Sequence, residues 1–143
     1  MAAPGAALLM FLSYRHAEQR ILQRVAVAGY DDITLAQARL MARIGPDGTR
    51  LTELAEAAQI TKQSAGFLVD QLQRLGYVER VPDPRDARAR PVRLAARGRQ
   101  AQAVARKAET AIEREWRRHL GRERMQALRE ALESLREITD PWA

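Results

Sequence analysis

One stretch near the middle of the chain combines a helix start, an apolar stripe and a helix stop. Thr61 can accept a hydrogen bond from the first helical turn, and Gly76 suits the left-handed residue that follows a helix end. Between them, apolar residues recur at the spacing of a helix that buries one face. These are Ala65, Leu68, Val69, Leu72 and Leu75. The stretch therefore predicts an amphipathic helix, which constrains what the neighbouring segments can be.

A shorter helix is predicted immediately before this one, over residues 52–58. Its inward positions are Leu54, Ala55 and Ala58, and residues 59–61 make the connection. Two short helices joined by about 3–4 residues, the second polar on one side, outline a helix-turn-helix. The polar side of the second helix carries Lys62, Gln63, Gly66, Phe67 and Asp70.

Two alternating segments follow, at 77–81 and 90–94, as expected for short strands. Residues 82–89 between them supply turn formers and charge, and residues 50–51 are a candidate for a short third strand. A helix-turn-helix followed by a basic hairpin predicts a mainly α fold with a small β-hairpin wing. We expect this winged core to occupy about 34–96 of a single domain, 1–143.

The order and spacing of these residues resemble the DNA-binding core of MarR-type transcription factors. The matching segments are Leu51-Thr52-Glu53-Leu54-Ala55, Ile60-Thr61-Lys62-Gln63, Leu68-Val69-Asp70-Gln71-Leu72, Gly76-Tyr77-Val78-Glu79-Arg80, Asp83-Pro84-Arg85-Asp86-Ala87-Arg88 and Leu94-Ala95-Ala96-Arg97-Gly98. Two places depart from the family pattern: Gly66 and Phe67 stand where polar residues are common, and Ala87 stands where Arg is common.

The charge of the chain favours a polyanionic partner. The 24 Lys and Arg residues outnumber the 18 Asp and Glu residues, which gives a formal net charge of +6. Seven arginines lie between Arg80 and Arg99, against only Asp83 and Asp86. Because net charge informs about partners rather than fold, this cluster indicates where an anion would bind.

Several function classes lose support from the composition. The chain has no cysteine, and its two histidines, His16 and His119, do not have the spacing of metal ligands. No motif of a phosphate loop or of nucleophilic catalysis is present. The sequence also lacks a run of about 18 apolar residues, so it predicts no membrane span. We therefore expect a cytoplasmic protein that is not an enzyme and has no metal, no cofactor and no membrane partner.

The ends of the chain predict more helix than a winged core needs. Helices are expected at 6–28, at 34–44 with Thr34 as cap, at 98–120 and at 122–138. In the last helix, Met125, Leu128, Leu132 and Leu135 follow the spacing of a helix that packs on another helix. We interpret 6–28 and 98–138 as a dimerisation layer with a two-fold interface. The alternative is an intramolecular cap over one core.

The predicted DNA-binding groups lie on the second helix and on the wing. Thr61 and the helix N-terminus would hold a phosphate, and Lys62, Gln63 and Ser64 are candidates for base edges. Phe67 would touch a thymine methyl group or pack against the preceding helix, and the sequence leaves both open. First-turn residues that are simply solvated are the plainer alternative.

The resemblance implies a role for the wing. Asp86 and Arg88 match the family's Asp-x-Arg element, in which the Asp orients an Arg for the minor groove. A narrow A·T-rich minor groove attracts an inserted arginine, and Arg85 and Arg90 would lie along the phosphates beside it. The alternative is a charged loop that contacts only water.

The resemblance also implies an effector site between the dimer layer and the winged core, for small anionic or aromatic compounds. Tyr14, Arg15, His16 and Trp116 are the candidates, although each is commonly a packing or surface residue.

Taken together, the residues and the resemblance predict a homodimeric, sequence-specific double-stranded DNA-binding transcriptional regulator with a near-palindromic operator. Most members of the family are repressors, and an effector would lower DNA affinity. The alternative is a low-specificity architectural or nucleoid DNA-binding protein. A winged helix that binds protein partners would need a neutral wing.

Overall fold

The computed structural model describes residues 2–142 as six helices and one short antiparallel hairpin. The elements are α1 (Ala6–Val27), α2 (Leu35–Met41), α3 (Leu51–Ala58), α4 (Lys62–Arg74), β1 (Val78–Arg80), β2 (Val92–Leu94), α5 (Ala96–Leu120) and α6 (Arg122–Thr139). The predicted fold class, mainly α with a small β-hairpin wing, is confirmed. The helix predicted to end at residue 44 stops at Met41, and the one predicted to start at 98 begins at Ala96.

Side-chain caps fix where two of the helices begin. The Thr34 hydroxyl accepts a hydrogen bond from the Gln37 amide, and the Gln37 side chain accepts one from the Thr34 amide at 2.9 Å. At α4, the Thr61 Oγ1 accepts the Ser64 amide at 3.0 Å, and Gly76 takes the left-handed conformation with φ +83°. Because these caps satisfy amides that the helix leaves open, they define the start of α4 as the sequence predicts.

The core lies beneath α4. Ala65, Val69 and Leu72 have no exposed surface, and Leu68 and Leu75 are half-buried against the same cluster. Leu54 and Ala55 of α3 pack into this core from the preceding helix, together with Leu40 of α2 and Val78 and Val92 of the hairpin. The predicted apolar stripe therefore faces inward along its whole length.

The hairpin has two strands, both shorter than predicted, and a single bridge from Thr49 replaces the predicted third strand. β1 and β2 pair with Val78 opposite Leu94 and Arg80 opposite Val92. The prediction of a third strand at residues 50–51 is wrong, because Arg50 is the N-cap of α3 and Leu51 is already helical. Thr49 makes the bridge instead, exchanging two backbone hydrogen bonds with Val92 at 2.7 and 2.8 Å.

The terminal helices form a second layer. α1 packs along α5, and α6 folds back along α5 after the turn at Gly121, where φ is +89°. Apolar side chains remain exposed on the outer half of α1 and along α6. They are Leu8, Leu9, Met10, Phe11, Leu12, Leu132, Leu135 and Ile138.

One glycine sets the distance between α5 and the end of the helix-turn-helix. A Cβ added at Gly98 would lie 2.1 Å from the Tyr77 carbonyl oxygen, a backbone atom. Gly66, also helical, differs, because its nearest neighbour would be a side-chain carbon of Leu51 at 3.7 Å. The chain thus needs a glycine at position 98 and tolerates a methyl group at position 66.

We expect Gly98→Ala to destabilise the protein by at least about 2 kcal/mol, because the backbone of β1 or α5 must shift to remove the clash. Gly66→Ala is the matched control and should raise stability by up to about 1 kcal/mol, since Ala favours helix over Gly. Urea denaturation followed by circular dichroism measures both. Equal stabilities of the two variants would contradict the packing described for Gly98.

Candidate nucleic-acid interface

The first turn of α4 presents a row of exposed polar side chains. Lys62, Gln63 and Ser64 are all exposed, and their helix begins at an exposed Thr61. The Thr61 hydroxyl accepts the Ser64 amide and donates to the Ser64 Oγ at 2.9 Å. Because this hydroxyl already has partners, the free amides of Lys62 and Gln63 are the better anchors for an anion at this end of the helix.

The side chain of Phe67 projects away from the core. It is 61% exposed, so most of the ring is not packed against α3, which was one of the two alternatives left open by the sequence. Phe67 lies one turn after Gln63 and therefore continues the strip of side chains that starts in the first turn.

Farther along α4 the polar side chains bind other parts of the protein. Arg80 Nη1 donates to the Asp70 carboxylate and to the Gln73 side chain, both at 2.8 Å. Gln71 accepts a hydrogen bond from Gln37 of α2 at 3.1 Å. The uncommitted side chains of α4 thus lie mainly in its N-terminal half, and the exposed Arg74 is a separate charge at its C-terminal end.

The arginines of the hairpin region divide into two groups. Four of the seven have intramolecular partners: Arg80 pairs with Asp70, Arg93 with Glu79, Arg97 with the Leu75 carbonyl and Asp32, and Arg99 with the Leu94 carbonyl. Within residues 2–142, the guanidinium groups of Arg85, Arg88 and Arg90 make no hydrogen bond or ion pair, and all three residues are exposed. The free positive charge therefore concentrates at the tip of the wing.

Two aspartates shape the wing turn. The Asp83 side chain accepts the Arg85 amide at 2.9 Å, and the Asp86 side chain accepts the Arg88 amide at 3.0 Å. Asp86 therefore positions the backbone of Arg88 and leaves its guanidinium free. Arg50 pairs with Asp83 at 2.7 Å and ties the wing to α3. The Arg85 amide and Arg50 hold the pKa of Asp83 below its usual range.

An ion pair between the buried Glu18 and the partly exposed Arg39 joins the terminal layer to the winged core. Arg39 of α2 donates from Nε and Nη2 to the two carboxylate oxygens of Glu18 at 2.7 and 2.8 Å. Tyr14 and Arg15 donate to the same carboxylate. Arg39, then Tyr14 and Arg15, lower the pKa of Glu18 to about 2 despite its burial. The helical pattern places Glu18 among polar, solvent-facing positions, but the structure buries it.

A second junction connects the loop after α1, the end of α4 and the start of α5. The Tyr77 hydroxyl donates to the Asp32 carboxylate, and the Arg97 guanidinium lies 4.3 Å from the centre of the Tyr77 ring. Arg97 also donates to the Leu75 carbonyl at 2.5 Å. Burial and the nearby Asp32 charge raise the pKa of Tyr77.

A cavity of about 1220 Å³ lies between the terminal helices and α2. Tyr14 and Trp116 line it, as the effector-site prediction requires, whereas Arg15 and His16 lie outside its wall. Arg15 is instead bound to Glu18, and His16 is exposed. Most of the wall is apolar, with Glu18 and Arg39 supplying charge on one side.

The described part of the chain offers neither a cluster of metal ligands nor a membrane-spanning helix. No group of three or more potential metal-ligating side chains is found among residues 2–142. Within the same residues, no helix has the length and hydropathy needed to cross a bilayer.

The helices α3 and α4, with the hairpin that follows, form a winged helix-turn-helix. A family model described as the MarR family matches residues 31–89, from the loop before α2 to the wing tip. The resemblance noted from the sequence is therefore confirmed for this segment, which matches the MarR family model and has the winged helix-turn-helix fold. No curated protein sequence matches the chain.

Solved structures share the fold over nearly the whole chain. The apo form of wild-type MarR from E. coli superposes with a TM-score of 0.68 at 18% identity, covering 94% of this chain and 98% of that one. Streptococcus pneumoniae FabT in complex with DNA gives 0.70 at 17% identity, with coverage of 92% and 94%. Another MarR structure gives 0.74 at 23%, with coverage of 94% and 96%. At these identities the likeness establishes the fold.

The Glu18 carboxylate predicts a specific pH dependence of stability. Its pKa falls from 4.5 to about 2 on folding, so its contribution is complete above about pH 4.5 and is lost as the pH falls toward 2. That difference corresponds to about 3 kcal/mol. Glu18→Gln should lower stability at pH 7 and flatten the pH profile between 5 and 2.5, measured by urea denaturation.

Glu115→Gln is the matched control for this experiment. Glu115 also pairs with an arginine, Arg20, but both side chains are substantially exposed, and such pairs contribute little. If the free energy of unfolding of Glu18→Gln depends on pH as that of the wild type does, the pair of Glu18 with Arg39 does not stabilise the fold.

Proposed function

We propose that the protein is a transcriptional regulator that binds double-stranded DNA by sequence. The observation that carries this proposal is the division of the hairpin arginines, which leaves Arg85, Arg88 and Arg90 free at the wing tip. A folded protein that only needed a stable hairpin would not require three exposed, unpaired cations beside a helix-turn-helix. FabT, which has the same fold, is described in complex with DNA, and this supports the same partner here.

We assign α4 to the major groove of the duplex and the wing to the adjacent minor groove. α4 would enter the major groove with Lys62 and Gln63 at base edges, Ser64 beside them and Thr61 with the helix N-terminus near a phosphate. The wing would place Arg88 in the minor groove, where a narrow A·T-rich segment concentrates negative potential. Arg85 and Arg90 would neutralise phosphates on either side, with Asp86 holding the turn.

The same proposal assigns α1, α5 and α6 to a homodimer interface, within one domain that spans 1–143. Several large apolar side chains are exposed together on α1 and α6, and such a grouping is typical of a surface that binds another protein chain. A two-fold axis through this layer would set two α4 helices at successive major grooves, about 34–36 Å apart, and the operator would be a near-palindrome.

Regulation would follow from occupancy of a promoter, as a repressor in the cytoplasm. The cavity near Tyr14 and Trp116 offers room for a small aromatic or anionic effector, with Arg106 in its wall as a cation that is not bound to Glu18 as Arg39 is. Binding there would weaken DNA affinity by changing the separation of the two α4 helices. A coupling of about 1–3 kcal/mol would suffice.

A low-specificity architectural protein is the competing function, and salt-titrated binding separates the two. A specific regulator binds its selected site roughly a thousand-fold or more tightly than random DNA at physiological salt. An architectural protein binds both alike. Equal affinity for selected and random duplexes would therefore overturn the proposal.

We predict that Arg88→Ala lowers operator affinity by about 1–3 kcal/mol, because one inserted cation is lost. The slope of log affinity against log salt should also become shallower by about 1. Gel-shift titration at several salt concentrations measures both quantities.

Arg93→Ala is the matched control, since it removes the same charge from the hairpin, where Arg93 pairs with Glu79 at 2.6 Å. It should leave affinity within about two-fold of the wild type, because this guanidinium already has a partner in the protein and exposed pairs contribute little to stability. Equal losses in the two variants would assign the effect of Arg88 to net charge alone.

We predict that Leu135→Glu combined with Ile138→Glu converts the dimer to a folded monomer with weak DNA affinity. Ile138 is 83% exposed and Leu135 40% exposed in one chain, so neither change disrupts the core of a monomer. Sedimentation and circular dichroism measure the result. Glu130→Gln on the same helix is the control, and a double variant that sediments as a dimer would contradict this interface.

A further inference from the structure

We propose that Phe67 reads the 5-methyl group of a thymine in each half of the operator, which makes it a specificity-determining residue. This inference rests on the proposed function, since it concerns the same contact between α4 and the major groove. The inference goes beyond the proposed function by assigning one base type to one side chain.

The first step is the placement of the ring. Phe67 is 61% exposed and lies on α4 opposite the buried stripe of Ala65, Val69 and Leu72. Among the described residues, the one aromatic pair within stacking distance is Tyr30 with Tyr77, so the Phe67 ring has no aromatic partner. Since side chains on a helix lean toward its N-terminus, the ring extends toward Gln63 and Ser64.

The second step concerns the neighbours of Phe67 on the same side of α4. The next polar residues are committed, because Asp70 and Gln73 bind Arg80 and Gln71 binds Gln37. The pairing with Arg80 also compensates the charge of Asp70, which would otherwise repel the DNA backbone. Phe67 therefore ends the strip of free side chains in the N-terminal half of α4, and the exposed Arg74 on the same side lies about two turns farther along the helix.

The third step is the chemistry of the groove. A phenyl ring neither donates nor accepts a strong hydrogen bond, and covering a polar base edge with it would cost the hydrogen bonds that water makes there. The thymine methyl group is the apolar group that distinguishes one base pair from another in the major groove. A ring at the end of a polar strip thus selects thymine at its own position.

The fourth step is the position of that thymine within the half-site. Phe67 lies four positions after Gln63, which corresponds to a rise of about 6 Å along the helix. Because α4 crosses the groove at an angle, the thymine should lie about one or two base pairs from the pair that Gln63 contacts.

The test removes only the 5-methyl group of individual thymines in the DNA. An operator is first selected from random duplexes, and each thymine is then replaced by deoxyuridine at symmetric positions of both half-sites. Burial of one methyl group per half-site predicts that one such position weakens wild-type binding by about ten-fold in a competition titration. Replacements elsewhere should change affinity by less than two-fold.

The protein variants assign the effect to the ring. Phe67→Ala should bind the thymine and deoxyuridine operators equally, and Phe67→Leu should retain part of the preference because it keeps an apolar side chain. Lys62→Ala is the matched control, which should weaken binding to both operators while keeping their ratio. Circular dichroism verifies that each variant is folded, as expected for exposed positions.

Two outcomes overturn the inference and are distinguishable from failure of the proposed function. If the wild type binds its operator with no thymine preference, or Phe67→Ala keeps that preference, DNA binding stands and the role of Phe67 does not. A protein that binds no duplex refutes both proposals.

Discussion

Burial of the Ala65, Val69 and Leu72 stripe fixes the rotation of α4 about its own axis. These three side chains have no exposed surface, so α4 cannot turn without moving apolar atoms into water. The orientation of Lys62, Gln63 and Phe67 toward solvent is a direct consequence. The hairpin packs on the same core through Val78 and Val92 and carries the wing. The exposed arginines of the wing are therefore held at a fixed position relative to α4.

Two polar junctions hold this core to the terminal helices, and they differ in kind. The buried Glu18 carboxylate pairs with the partly exposed Arg39 between α1 and α2, and loss of Arg39 would leave this carboxylate with only Tyr14 and Arg15 as partners. The Tyr77 and Arg97 junction instead depends on close approach, made possible by the missing side chain of Gly98. A change in the terminal layer would therefore reach α4 through two separate contacts.

The sequence predicted local structure well because local structure depends on nearby residues. The cap at Thr61, the stop at Gly76 and the inward stripe between them involve contacts within a few residues, and all three are confirmed. The third strand was placed on residues 50–51 because a short extended segment and a helix N-cap have similar backbone. Thr49 makes the bridge instead, one residue earlier, because Leu51 already belongs to α3.

Long-range polar contacts could not be predicted in the same way. Glu18 follows the pattern of a solvated helix position, and only the arrival of Arg39 from another helix makes its burial favourable. The count of seven arginines likewise indicated an anionic partner but not which of them are free. Arg97 and Arg99 serve the fold, whereas Arg85, Arg88 and Arg90 do not, and only the three-dimensional contacts separate these groups.

Footprinting on a selected operator tests the central claim most directly. Methylation of guanine N7 reports the major groove, and hydroxyl-radical cleavage reports the minor groove. The account predicts two protected major-groove blocks about one helical turn apart, each flanked on its outer side by a protected minor-groove segment. Uniform protection along the duplex, or a single block with no flanking minor-groove contact, would contradict it.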